Sequence, residues 1–124
     1  MKIEVRPKKD HEKYFKLVKD QVNLFFKDKS INPETVVSFN FVSKTKIRTL
    51  NKKYRSLDSE TDVLSFPIWE SISQMPKHGT VNLGDIFICM SVLQKNAKVD
   101  KLDFKEELKK IVEHSLNHLI GKHH

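Results

Sequence analysis

The 124 residues contain a single cysteine, Cys89, so no internal disulfide can form and the stability must come from an ordinary apolar core. No apolar run approaches the roughly 20 residues that cross a bilayer. The opening MKIEVRPKKD has no apolar stretch of the kind that marks a secretion signal, so a cytoplasmic location is expected, with no membrane partner. There is no repeat, no low-complexity tract and no linker, which leaves one domain over residues 1–124. Aromatic residues are few and scattered, and no base-stacking platform can be mapped from their positions. Acidic side chains are outnumbered, 16 against 23 lysines and arginines, for a formal charge of +7. That surplus attracts polyanions, nucleic acid first among them, although a basic soluble protein without such a partner has the same composition.

Periodicity outlines the elements. Ile3 and Val5 alternate with charges over residues 2–6, a short strand ended near Pro7. Tyr14, Leu17, Val18, Val22, Phe25 and Phe26 recur at helical spacing over 10–28. Residues 34–42 read as a strand with Val37, Phe39 and Phe41 on one face. Ser43 suits the cap of a helix that turns Ile47, Leu50 and Tyr54 inward. A strand follows over 62–66, stopped by Pro67, then a long loop over 68–82, a strand at 83–89 and a helix over 90–98. Asp103 caps a last helix over 104–120, closed by Gly121. This order predicts an α/β (α+β) fold, a small mixed β-sheet of about four strands covered by four to five helices.

The densest chemistry lies at the C-terminal end, in HSLNHLIGKHH. Residues four apart on a helix share a face, so His114 and His118 can aim both imidazoles at one point. Gly121 can end the helix at positive φ and let the chain turn back, bringing His124 to the same point. Three neutral imidazoles leave one position of a tetrahedral Zn²⁺ open, as a catalytic site requires; the same ligands suit other divalent transition metals. One ion per chain is expected. Zinc peptidases of the pattern H-E-x-x-H-x-x-G-x-x-H share this spacing, but Ser115 stands where their catalytic glutamate would be. A histidine pair on a helix surface is also a common coincidence, and a terminal His-His resembles a tag remnant.

Other segments make the likeness specific. The C-terminal motif, together with LNKKYRSLDSETDVLSFP at 50–67 and LGDIFIC at 83–89, resembles the YbeY family of metal-dependent endoribonucleases, also called rRNA maturation factors. The resemblance is strong over about the last 80 residues and weak over the first 40. It implies a zinc-dependent, single-strand-specific endoribonuclease that acts in rRNA maturation and ribosome quality control. The implied partners are single-stranded RNA, rRNA above all, with the ribosome and its proteins, and not DNA. It implies His114, His118 and His124 as metal ligands and Arg55, in the Tyr-Arg motif, as a functional residue. This sequence departs from the family at Ser115 (usually Gly), Asn117 (usually apolar), Lys122 (usually Tyr) and His123 (usually Asp).

Around that centre, Arg55 is expected to clamp phosphate, because a guanidinium meets a phosphate through two parallel hydrogen bonds. His114 is expected to share in catalysis. Arg48, Lys52 and Arg55 fall at i, i+4 and i+7, a cationic stripe that suits RNA phosphates or is simply a solvated helix face. Asp62, Asp85 and His123 are candidates to support the ligands from behind, with a structural role the blander reading for the two aspartates. Ser65 and Phe66 are expected to line the cleft, and Cys89 to be a buried small apolar group. Attack by an activated water and attack by the RNA 2′-hydroxyl are both open. Three other readings stand beside the nuclease: a metallopeptidase-like hydrolase, a non-catalytic RNA- or ribosome-binding factor with a structural zinc, and a metal-free fold with incidental histidines.

Overall fold

A computed structural model describes residues 2–6, 13–32, 34–70 and 72–121, with 2–6 and 72 as backbone only. The elements run β1 (Lys2–Arg6), α1 (Phe15–Asp28), β2 (Thr35–Phe41), α2 (Lys44–Arg55), β3 (Val63–Pro67), β4 (Val81–Ile88), α3 (Met90–Val99) and α4 (Phe104–Leu119), with a short 3₁₀ turn at Ile72–Gln74. The order is that expected from the periodicity. The first helix starts at Phe15, and residues 10–12 of its expected span lie outside the described ones.

The four strands form one mixed sheet in the order β1-β2-β4-β3. β1 and β4 both run parallel to β2, while β3 runs antiparallel to β4 at the edge. One face carries Val37, Phe39, Phe41, Leu83, Ile86 and Ile88 into a core shared with α1 and α4. The opposite face is covered in part by α2, where Ile47, Leu64, Cys89 and Val92 make a smaller cluster. Cys89 is a buried free thiol, as expected of a small apolar group.

The local signals explain the helix ends. The Ser43 hydroxyl accepts from the Lys46 amide at 3.1 Å, and the Asp103 carboxylate accepts from the Lys105 amide at 2.8 Å, each satisfying an amide that the first turn leaves unpaired. Glu106 and Glu107 add favourable charge to the first turn of α4. One inward position is corrected. Tyr54 is 52% exposed, and the buried polar residue of α2 is instead Asn51. Asn51 sits one turn after Ile47, and its side-chain amide donates to the Ser59 carbonyl at 3.1 Å, tying α2 to the loop that feeds β3.

β4 contains a change of register that sets the rest of the site. Val36 pairs with Asn82 and Ser38 pairs with Asp85, so β4 spends three residues where β2 spends two. The extra residue is Gly84, at φ +135°. In an unbroken strand Leu83 and Asp85 would share the core face. The bulge sends Leu83 inward, exposes Asp85, and returns Ile86 and Ile88 to the core.

Candidate metal centre and its cleft

α4 packs against α1 and along the edge strand β3. Its apolar residues Leu108, Val112, Leu116 and Leu119 are buried, which turns His114 and His118 toward the rim beside β3. The two rings lie edge to face with centroids 4.5 Å apart, and their Nε2 atoms are separated by 3.0 Å. A hydrogen bond between the two rings, one Nε2 donating and the other accepting, accounts for that distance. The same convergence presents two ring nitrogens to a common cation. Two nitrogens about 2.0–2.1 Å from a tetrahedral zinc lie roughly 3.3 Å apart, so a small ring rotation admits the ion and the pair fits it.

Gly121 follows at φ +86°, and its amide donates to the His118 carbonyl at 3.1 Å, closing the helix directly after the histidines. The chain thus leaves α4 beside the pair. His124, the third expected ligand, and His123 lie outside the described residues. Among the described residues no group of three metal-ligating side chains is assembled.

The histidines form one wall of a cleft of about 200 Å³ whose other walls are Arg55, Val63, Leu64 and Ser65. Arg55 reaches it from the far side of the sheet. It is the last residue of α2, followed by Ser56 in the left-handed conformation at φ +59°, and the Leu57 amide caps back onto the Asn51 carbonyl. β3 is an edge strand, so Ser65 has an outward carbonyl free of the ladder. Arg55 Nη2 donates to it at 2.8 Å, and its guanidinium carbon sits 5.0 Å from the centre of the Phe66 ring. These two contacts hold the cation at the mouth of the cleft while other N–H groups of the fork stay available.

The remaining expected residues separate. Arg48 is held by Asp58, Nε to Oδ1 at 2.8 Å. Hydrogen bonding to Arg48, and then its charge, hold the Asp58 carboxyl below the ordinary carboxylate range. Lys52 is exposed in the groove next to that pair. Asp62 is half-buried beside Val63, its carbonyl accepting from the Cys89 amide at 2.9 Å. Asp85 projects from the opposite face of the sheet, into a groove with Leu50, Tyr54, Phe66 and Phe87. Phe66 thus lines this second groove, while Ser65 lines the histidine cleft.

Three features escaped the sequence. Asn51 gives no signal, because its partner comes from a loop. The hydroxyl of Ser115 is fully buried and has no hydrogen-bond partner among the described residues. Tyr54, Phe66 and Phe87 come together from three elements, and no spacing in one segment announces them.

The family model for Endoribonuclease YbeY matches residues 2–124. The chain belongs to this family. It is 38% identical to the Endoribonuclease YbeY of Alkaliphilus metalliredigens over 93 residues, 75% of this chain and 60% of that protein. Against that of Finegoldia magna it is 42% identical over 88 residues, 71% of this chain and 55% of that one. A third, from Desulforamulus reducens, is 34% identical over 115 residues, 91% and 74% of the two chains. The chain therefore spans somewhat over half the length of the first two YbeY relatives. The solution structure of a Thermotoga maritima protein superposes with a TM-score of 0.65 at 27% identity, covering 96% of this chain and 72% of that one. The mixed α/β architecture expected from the sequence is shared with that structure.

Proposed function

We propose that this domain is a zinc-dependent, single-strand-specific endoribonuclease, and that His114, His118 and His124 hold one Zn²⁺ per chain. The observation that carries the reading is the convergence of two Nε2 atoms at 3.0 Å inside a cleft that Arg55 closes. The relatives of this chain, endoribonucleases by name, support RNA cleavage as the activity. A cleft of about 200 Å³ has room for one phosphodiester linkage at the histidines.

The protein's own groups divide the work by position. His114, exposed, and His118, half-buried, bring their Nε2 atoms to one point. Arg55 donates to a phosphate oxygen from the opposite wall and offsets the charge that grows on phosphate as the bond breaks. The Ser65 carbonyl and the Phe66 ring keep it in place, so little reorganisation accompanies binding. When bound, the zinc supplies Lewis acidity toward water or phosphate. A peptidase is disfavoured because Ser115, in the position of the peptidase glutamate, is fully buried and does not line the cleft. Ribosomal RNA is the proposed substrate, with the ribosome as the setting and the cytoplasm as the location.

The test measures bound zinc and cleavage of a single-stranded oligoribonucleotide for wild type, His114→Ala and Arg55→Ala. We expect one zinc per chain in wild type and loss of both metal and cleavage in His114→Ala. In Arg55→Ala the metal stays and the rate falls by about 10²–10³-fold. Wild type that takes up no zinc and cuts nothing overturns the reading.

A further inference from the structure

The groove beyond Arg55 has its own chemistry. Phe66 is the hub of an aromatic cluster. Its ring lies edge to face with Tyr54 at 5.2 Å and with Phe87 at 5.7 Å, and the Arg55 guanidinium sits 5.0 Å from its centre. Tyr54, Phe66 and Phe87, with Leu50 and Asp85, line a groove of about 300 Å³, room for one base. Asp85 stands directly across the ladder from Phe66, and the Gly84 bulge is what puts it there. Its carboxylate makes no hydrogen bond or ion pair among the described residues. Half-exposed aromatic rings and an uncommitted acceptor are the parts from which single-stranded RNA modules build base pockets.

We propose that this groove is a nucleobase subsite that selects guanine in the strand whose phosphate meets Arg55. The inference rests on the endoribonuclease reading for its substrate and adds the base that the strand presents. Guanine offers N1–H and N2–H side by side on its Watson–Crick edge, and one carboxylate accepts both. Uracil has a single N–H on that edge, flanked by two carbonyls, so a carboxylate that accepts from it also meets a carbonyl oxygen and is repelled. Arg55 links the two sites, because it lines the histidine cleft while its guanidinium lies 5.0 Å from the centre of Phe66, which lines the base groove. A cationic protein side chain is the rival guest for aromatics with a carboxylate. It is disfavoured because two cations already sit on these rings, Arg55 on Phe66 and Lys53 Nζ 5.2 Å from the centre of Tyr54. Those same cations attract a phosphate-bearing strand.

The experiment measures equilibrium binding of fluorescent pentaribonucleotides in chelator, where cleavage plays no part. The probes are oligouridylate, the same strand with one central guanine, and the same strand with inosine. Wild type is expected to bind the guanine strand about tenfold tighter than oligouridylate, and inosine, which lacks the N2 amino group, in between. Asp85→Asn is expected to abolish the preference by weakening the guanine strand without weakening oligouridylate, whose repulsion from the carboxylate is removed, and Phe87→Ala to weaken the guanine strand more than oligouridylate. Equal binding of all three strands by wild type overturns the subsite, as does a preference that survives Asp85→Asn. An arginine-containing peptide that displaces no oligonucleotide yet binds wild type and not Asp85→Asn also overturns it, in favour of a protein partner. In a companion assay with zinc and no chelator, cleavage of both strands without a binding preference would remove the subsite and leave the nuclease. A binding preference in a protein that cuts neither strand would do the reverse.

Discussion

Glycine inside a strand buries no side chain and loses more conformational freedom than any other residue, so Gly84 is there for its backbone. A Cβ at this position would overlap the Phe66 carbonyl oxygen and stand 3.2 Å from Leu119 Cδ2, at a φ that side chains rarely adopt. Gly84→Ala is expected to cost about 3 kcal/mol or more, read as the shift of the urea midpoint. An unchanged midpoint would mean that the bulge relaxes freely. Ser115 gives the opposite sign. Its buried hydroxyl lost water on folding and gained no partner among the described residues. Ser115→Ala removes that penalty and improves helix propensity, so a stabilisation of about 1 kcal/mol is expected in the same titration. A loss of stability would reveal a partner for the hydroxyl.

At the scale of elements, the helix boundaries were legible because each rests on local chemistry. Asp103 and Ser43 cap their own helices within three residues. Asp103→Ala is expected to destabilise by about 1 kcal/mol, measured by thermal or urea unfolding. Strand existence was legible too, from alternation in β2 and the apolar run of β4. What stayed hidden was pairing. Nothing in LGDIFIC says that its glycine is the extra residue opposite β2, so the face on which Asp85 lands could not be read, and it lands away from the histidines. The histidine pair was visible because four-residue spacing on one helix is a local rule. The Arg55 contact with Ser65 joins two elements that only the folded sheet brings together, and the motif likeness, rather than spacing, pointed to that arginine.

For the molecule as a whole, a charge of +7 predicts affinity for RNA but not which cations supply it. On α2 the structure divides them. Arg48 is engaged by Asp58, while Lys52, Lys53 and Arg55 are exposed along the same helix. If those three each neutralise one phosphate of a single strand, the logarithm of the binding constant should fall with the logarithm of salt at a slope of about −2. Lys52→Ala should flatten that slope by about 0.7, whereas Arg48→Ala should change it less. Asp58 adds a pH dependence whose sign follows from its lowered pKa. The pair is intact above the ordinary carboxylate range and breaks as pH falls through the depressed folded-state value, which releases Arg48 toward the strand. Asp58→Asn should mimic that release at neutral pH, tightening RNA binding and steepening the slope by up to about 0.7, as read from binding titrations across a salt series. Equal effects of Arg48→Ala and Lys52→Ala would instead place Arg48 on the RNA despite its carboxylate partner.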